Sequence, residues 1–255
     1  HNTGTPGNDF PMKDSVVTFA KVLADNGYAT GYAGKWHLDG SGKPQWQPKR
    51  NFGFADNRYM FNRGHWKQLE ITDDGPRVKS RSKAGKPNYG VAGADKTSFT
   101  TDFLADRTIE FIKANKDKPF CYMVSIPDPH GPDTVRKPYD RQFAGMKFAK
   151  PRTFGKTEKQ TPRWARKEKR CSLNHSKYFG MVKCIDDNVG RILEALRTNG
   201  LDRKTIVVFT ADHGDLRAEH HRHNKGVPYE ASAKIPFVIS WPGRLKPGST
   251  ISAAS

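Results

Sequence analysis

Short apolar, β-branched runs that stop abruptly at polar clusters constrain this chain more than any other feature. Ile206-Val207-Val208-Phe209 reads as a strand buried on both faces and halts at Asp212-His213-Gly214-Asp215. Phe120 to Ile126 reads as another and gives way to Pro127-Asp128-Pro129-His130-Gly131-Pro132. Tyr28 to Gly34 is a plausible third and runs straight into Lys35-Trp36-His37-Leu38; Ile235 to Ser240 is a fourth. Between these runs the apolar period turns helical. Val16, Phe19, Val22 and Leu23 mark a helix stopped by Gly27, and Phe99, Phe103, Ile109 and Ile112 mark one over Thr97–Asn115. Tyr178, Val182, Ile185, Val189, Ile192, Leu193 and Leu196 form a clean stripe over His175–Asn199, capped by Gly200. Helices and strands that alternate in this way predict an α/β fold with a mostly parallel sheet flanked by helices.

In open α/β sheets ligands bind just beyond the carboxyl ends of the strands, where these polar clusters stand. An Asp-His pair at 212–213 suits a metal ion or an anion, and Lys225-Gly226 can return a cation to the same crevice. If the chain stays extended, Lys35 and His37 share one face, with Trp36 turned into the packing, and together suit an anionic group. Prolines on both sides stiffen the loop that carries His130. Each cluster also has a plain reading: a strand-to-loop turn, a surface Lys beside a core-edge His, an exposed loop His. Asp186 and Asp187 diverge by about 100° on their helix and cannot chelate one ion as a pair. Asp73-Asp74 belongs to a turn. His220, His221 and His223 could bind zinc, but no fourth ligand stands at a known spacing.

Charge narrows the partners. The net charge is +18, which draws polyanions, whether nucleic acid, anionic lipid, or sulfated or phosphorylated substrates. Arg77–Lys86 holds five basic residues and no acidic one, and Lys147–Arg170 holds ten Lys or Arg against two Glu. The latter reads as a long insertion lining a polyanion groove, or as a solvated charge run. Residues 40–95 show no sustained period and carry Trp46, Trp66 and Tyr59, read as exposed aromatics of substrate-facing or plain loops. No run of 18 apolar residues exists that could span a membrane. Cys121, Cys171 and Cys184 form no CxxC and cannot all pair. A start at His1 without Met or signal peptide, and an end at Ser255, suggest a fragment or processed piece.

Taken together, G-Y-A-T-G-Y-A-G-K-W-H-L at 27–38, P-D-P-H-G-P at 127–132 and T-A-D-H-G-D…N-K-G-V-P-Y-E at 210–230 closely resemble the type I sulfatases of the alkaline phosphatase-like superfamily. GLDRKTIVVFTADHGD and IPFVISWPG look like the same family. The resemblance covers nearly the whole chain apart from loop-rich insertions at about 40–95 and 133–170. It implies a partial catalytic domain over 1–255, with an alkaline phosphatase-like core incomplete at both ends.

By position, Asp212 matches a carboxylate ligand of the family's divalent ion, usually calcium, and His213 stands where the next ligand is Asn or His. Lys35 and His37 match the pair that hydrogen-bonds the sulfate and the nucleophile's hydroxyl. His130 matches a candidate general acid, and Lys225 the lysine that clamps a sulfate oxygen. The family's nucleophile is a formylglycine made in a C/S-x-P-x-R motif, which none of the three cysteines fits; it and the paired N-terminal aspartates are expected upstream of this chain. Alone, the piece is expected to be inactive. The implied activity is hydrolysis of a sulfate ester, with the basic loops favouring a sulfated carbohydrate, in the periplasm or outside the cell. The alternatives are a phosphodiesterase or phosphonate monoester hydrolase of the same superfamily, or a non-catalytic module that binds polyanions through 77–86 and 147–170. Nucleic acid is not the expected partner.

Overall fold

A computed structural model describes residues 5, 7–154 and 172–251. The basic run Lys147–Arg170 lies, beyond Phe154, outside the described residues, as does Cys171. The chain divides into two compact units, one of His1–Ala144 with Lys177–Asn199 and one of Gly145–Ser176 with Gly200–Ser255.

The first unit is built on a three-stranded parallel sheet. Its central strand β1 (Ala29–Lys35) is buried from Thr30 to Gly34. It lies between β2 (Asp56–Phe61) and β5 (Phe120–Ser125). Pairing is in register from Ala29 with Phe120 to Gly34 with Ser125 on one side, and Lys35 faces Phe61 on the other. All three strands therefore end at one edge. Gly34 lets β1 and β5 close up there: it sits at φ +104°, and a Cβ on it would fall 2.0 Å from the Ser125 carbonyl oxygen. An antiparallel hairpin of β3 (Leu69–Thr72) and β4 (Gly75–Val78) follows β2.

Helix α1 (Phe19–Asp25) starts at Thr18, whose hydroxyl accepts from the Lys21 amide, and packs against β1. Helix α2 (Thr100–Ala114) buries Phe103, Leu104, Phe111 and Ile112 and packs against β1 and β5. Its core joins Phe103 and Leu104 to Ala33, Phe61, Trp66, Leu69 and Val78. The short α3 (Tyr139–Gln142) and the long α4 (Ser176–Thr198) come next in the chain. Met181 and Cys184 of α4 join Phe99 and Val135 in a second cluster.

Two expectations are corrected here. The stretch 40–95, read as loops with exposed aromatics, contains a strand of the main sheet and a hairpin, and Trp66 is buried in the core. β2 escapes a search for apolar runs because it begins Asp56-Asn57-Arg58; its pairing with β1 and the burial of Met60 and Phe61 make it a strand. The second correction lies in the second unit. There β6 (Val207–Thr210) pairs antiparallel with β7 (Phe237–Ser240) in a two-stranded ribbon. Val208 and Phe209 are exposed, where burial on both faces was expected. β-Branched residues favour the extended backbone without choosing its neighbours. A small core of Leu216 and Val227 holds the following loop, with Tyr229 and Ala231 of the region around α5 (Glu230–Ala233) against it.

Candidate active site

At the carboxyl edge of the parallel sheet, Lys35 is the last residue of β1 and His130 stands five residues beyond β5. They meet through a residue the sequence reading passed over. Lys35 Nζ lies 3.0 Å from His65 Nε2, and the His65 ring stacks on that of His130 with centroids 3.5 Å apart and planes within 8°. An ammonium only donates, so His65 Nε2 accepts and the ring's proton sits on Nδ1. The His130 ring directs Nδ1 at the Gly131 carbonyl oxygen, 3.0 Å away, so that nitrogen donates and Nε2 is the one that gains or gives the second proton. All three side chains are half-buried.

Behind His130 lies a dry polar anchor. Lys67 Nζ reaches Asp128 Oδ1 at 2.6 Å and the His130 carbonyl oxygen at 3.2 Å, with both side chains sealed from solvent. Thr101 Oγ1 of α2 donates to the other Asp128 oxygen at 3.1 Å. Further along the same loop, Arg136 donates twice to Asp102 of α2, both at 2.7 Å, and Asn188 of α4 donates to that carboxylate at 3.2 Å. The Asp102 carboxylate holds the Arg136 guanidinium above its ordinary range. The segment 127–138 is thus fastened to α2 at two buried points, and Asn188 ties α4 to the second of them.

His37 departs from expectation. Extension ends at Lys35: the Trp36 amide donates to the Phe61 carbonyl, and His37 turns to φ 58°. The strand alternation that would put Lys35 and His37 on one face does not carry through. Trp36 does turn into the packing, stacked on Phe52 at 5.5 Å and edge-on to Tyr32 at 5.4 Å. Buried Asn62 fixes the turn: its carbonyl accepts from the His37 amide at 2.6 Å, its side-chain oxygen accepts from the Asp39 amide, and its side-chain nitrogen donates to Gly40 and Gly42.

In the second unit, Asp212 and His213 follow β6 on a turn whose Gly214 lies against α5; a Cβ there would fall 2.2 Å from the Ala231 carbonyl oxygen. Asp212 is exposed. His213 Nδ1 donates to the Gly214 carbonyl at 2.7 Å, and its Nε2 lies 3.4 Å from Asp212 Oδ2. Asp215 Oδ1 accepts from the Asn224 amide at 2.9 Å, which draws the two ends of the 215–224 loop together just ahead of exposed Lys225. Asp212 offers oxygen donors to a hard cation, but His213 offers nitrogen, and calcium takes six to eight oxygens. Among the described residues no group of three or more His, Cys, Asp and Glu is arranged to hold a metal. This donor set by itself does not fit a calcium ion.

The three loop histidines do not converge either. His220 stacks on Tyr229 at 3.7 Å, His221 lies against Phe154 at 4.8 Å, and His223 Nε2 accepts from the Ser172 amide. Burial, with Asp102 next, pushes the Cys184 thiol up, and burial does the same to Cys121, which makes both poor nucleophiles. Lys35, His37 and His130 belong to the first unit, and Asp212, His213 and Lys225 to the second. His65, Lys67 and Asn62 were not foreseen; they form the polar cluster just past β2, and the same strand-end rule finds them once β2 is known.

Comparison with known proteins follows the same line. The family model described as Sulfatase matches residues 1–255. An ulvan-active sulfatase of Formosa agariphila is 28% identical over 257 residues, covering 98% of this chain and 46% of that protein. An arylsulfatase of Clostridium perfringens is 30% identical over 266 residues, covering 91% of this chain and 53% of that one. A solved structure in complex with its substrate D-glucosamine-2-N,6-O-disulfate superposes with a TM-score of 0.76 at 21% identity, covering 100% of this chain and 61% of that chain. The chain spans about half the length of the curated relatives it matches.

Proposed function

The chain belongs to the sulfatase family, and from that premise we propose that it supplies the substrate-binding and proton-donating part of a sulfuric ester hydrolase acting on a sulfated carbohydrate. The observation that carries the reading is the convergence of Lys35 and His130, 95 positions apart in sequence numbering, on one sheet edge through the His65 ring. An ammonium and an imidazole with a fixed Nδ1 proton are what a sulfate ester needs there. Lys35 binds a sulfate oxygen. His130, protonated at Nε2, gives that proton to the ester oxygen as the S–O bond breaks and its electron pair passes to the oxygen, so that the alcohol leaves neutral. By family likeness we assign His37 to hydrogen-bond the nucleophile's hydroxyl and Lys225 to bind a sulfate oxygen.

Sulfatases use a formylglycine nucleophile and a divalent cation, which provide the attacking oxygen and neutralise sulfate charge when present. Asp212 is the residue we assign to that cation, calcium being the expected ion, with His213 beside it. The donors here fall short of a full shell, so no step is derived through the metal. A net charge of +18 would concentrate a polyanionic substrate near the site. Among relatives, the sulfated amino sugar bound in one neighbouring structure supports the carbohydrate class. No helix among the described residues is long and apolar enough to cross a membrane, and we place the protein in the periplasm or outside the cell by family likeness.

The test uses the full gene product, purified and assayed on 4-nitrophenyl sulfate, 4-nitrophenyl phosphate and a panel of sulfated sugars. Sulfate turnover well above phosphate turnover, lost in Lys35→Ala and in Lys225→Ala, is the expected result. Preference for phosphate would return the assignment to the phosphodiesterase and phosphonate hydrolase branch. Retained polyanion binding, steeply weakened by salt, with no turnover of any ester would leave the binding-module reading instead.

A further inference from the structure

His65 occupies a place that no motif marked. Its ring lies flat on His130 at 3.5 Å while its Nε2 accepts from Lys35 at 3.0 Å, so one side chain touches both groups assigned to the reaction. The backbone holds it there: Gly64, at φ +116°, lies under the Trp66 ring, and a Cβ on it would fall 2.3 Å from that indole. Trp66 is buried, with its indole N–H donated to the Arg63 carbonyl at 3.0 Å. Tyr89 approaches the His65 ring at 6.0 Å. Lys67, two residues on, fastens the His130 backbone carbonyl and Asp128. A four-residue segment, Gly64–Lys67, therefore grips the proton donor from its ring face and from its main chain.

We infer that His65 is a positioning residue with two separable tasks: its ring face orients the His130 imidazole toward the leaving oxygen, and its Nε2 holds Lys35 toward the sulfate. The inference rests on the roles proposed above for Lys35 and His130. The chemistry of each contact sets its task. A neutral imidazole that accepts from Lys35 keeps its proton on Nδ1, so an uncharged ring separates the Lys35 ammonium from a protonated His130. A stacked partner also removes the freedom of the His130 ring to turn about its side-chain bonds. Orientation of a donor matters most when the leaving group is poor. A sugar alkoxide needs the proton as the S–O bond breaks, whereas 4-nitrophenolate leaves without it. Holding Lys35, by contrast, acts on sulfate binding whatever the leaving group.

Two conservative variants separate the tasks. His65→Phe keeps a flat ring for stacking and removes the acceptor; His65→Gln keeps an acceptor and removes the ring. In the full gene product, His65→Phe is expected to raise KM on the order of tenfold for sugar sulfate and 4-nitrophenyl sulfate alike, with kcat nearly kept. His65→Gln is expected to keep KM and to lower kcat on the sugar sulfate on the order of tenfold or more, a share of the roughly 10²–10⁴-fold that a general acid supplies, with 4-nitrophenyl sulfate little changed. Circular dichroism and thermal melts of both variants accompany the kinetics, so that misfolding is read directly. Equal losses on both substrates and in both variants, with native melts, would overturn the inference, because a merely structural residue gives no such split. His130→Ala and Lys35→Ala serve as controls for the underlying reading. If His130→Ala shows the leaving-group dependence and His65→Gln does not, the inference alone fails; if His130→Ala shows none, the assignment of His130 fails.

Discussion

The Lys67–Asp128 pair offers the sharpest test of how this site is held. Lys67 Nζ has three contacts: Asp128 Oδ1 at 2.6 Å, the His130 carbonyl at 3.2 Å and Met181 Sδ at 3.2 Å. The exposures of the two side chains are 0% and 2%. Lys67→Met removes the cation at nearly constant volume and leaves the Asp128 carboxylate with the Thr101 hydroxyl as its recorded donor. Removing one partner of a buried pair costs about 3–5 kcal/mol, because the charge left behind has no water to replace the lost cation. Removing both charges is different. Lys67→Met with Asp128→Asn leaves an amide that still accepts from Thr101, so the loss falls toward that of one or two hydrogen bonds, about 1–2 kcal/mol.

Urea unfolding of the full gene product, followed by tryptophan fluorescence, reads this directly from the change in midpoint and slope. The double variant should be the more stable of the two, although it carries one more substitution. Its kcat on a sugar sulfate should nevertheless stay depressed, since the tie to the His130 carbonyl is gone in both. A single variant that loses less than about 1 kcal/mol would mean that the carboxylate finds water or a proton, against the burial argument. A double variant no better than the single would refute the reasoning too. Either result would also remove the claim that Lys67 fixes the histidine loop.

Gly34→Ala should be far more damaging than a surface change, by well over about 1 kcal/mol, since it meets both a positive φ and the Ser125 carbonyl; a normal urea midpoint would show that β1 and β5 are not so close. Asp95 is held well below the usual carboxylate range, chiefly by the Ser98 hydroxyl and then by that of Thr97, with both amides adding to it. A carboxylate depressed on folding adds stability above its unfolded value of 3.8 and loses it as pH falls toward the folded one. The stability gap between the wild type and Asp95→Asn should therefore shrink between about pH 6 and about pH 3, and a constant gap would contradict the assignment. Asp212→Ala should abolish any rise in melting temperature that calcium gives the full gene product, whereas an unchanged rise would put the ion elsewhere.

The fold was legible where local signals were strong. Helix α2, expected over Thr97–Asn115, runs Thr100–Ala114, and α4, expected over His175–Asn199, runs Ser176–Thr198. Apolar residues recur at helical spacing over many turns in both, so neighbouring contacts could not easily override the helices. The buried face of α4 was less legible, since it buries Met181, Cys184 and Asn188 while Val182 and Leu193 of the expected stripe are exposed. β1 matches its apolar run. β5 spans its run but lies at the sheet edge with no fully buried residue and with Met123 exposed, where burial on both faces was expected. The partner of β6 was not legible. Ile206 to Phe209 promises an extended backbone, but the hydrogen bonds of a strand are satisfied by whichever strand lies alongside, and here that is β7, antiparallel. A β-branched run carries no record of that choice.

The site divides in the same way. Lys35 and His130 could be found because each follows a run whose apolar character announces a strand end. His65 could not, because β2 opens with Asp56-Asn57-Arg58, where Arg58 folds back on Asp56 and holds that carboxylate below its usual range. Besides Asn57, only Met60 and Phe61 of the strand are buried. What makes it a strand is parallel pairing with β1, from Gly31 with Asp56 to Lys35 with Phe61, and that is a nonlocal fact. Parallel pairing then has a consequence for chemistry. It forces β2 to end on the same edge as β1, so whatever polar residues follow Phe61 must emerge beside Lys35. The cluster Asn62–Lys67 supplies three of the groups that hold the site: Asn62 the His37 turn, His65 the stack on His130, Lys67 the anchor beneath it. A chain with this sheet has little freedom to place them elsewhere. Sequence motifs therefore identify the groups assigned to touch the sulfate, while the groups that orient them are dictated by which strand lies next to β1.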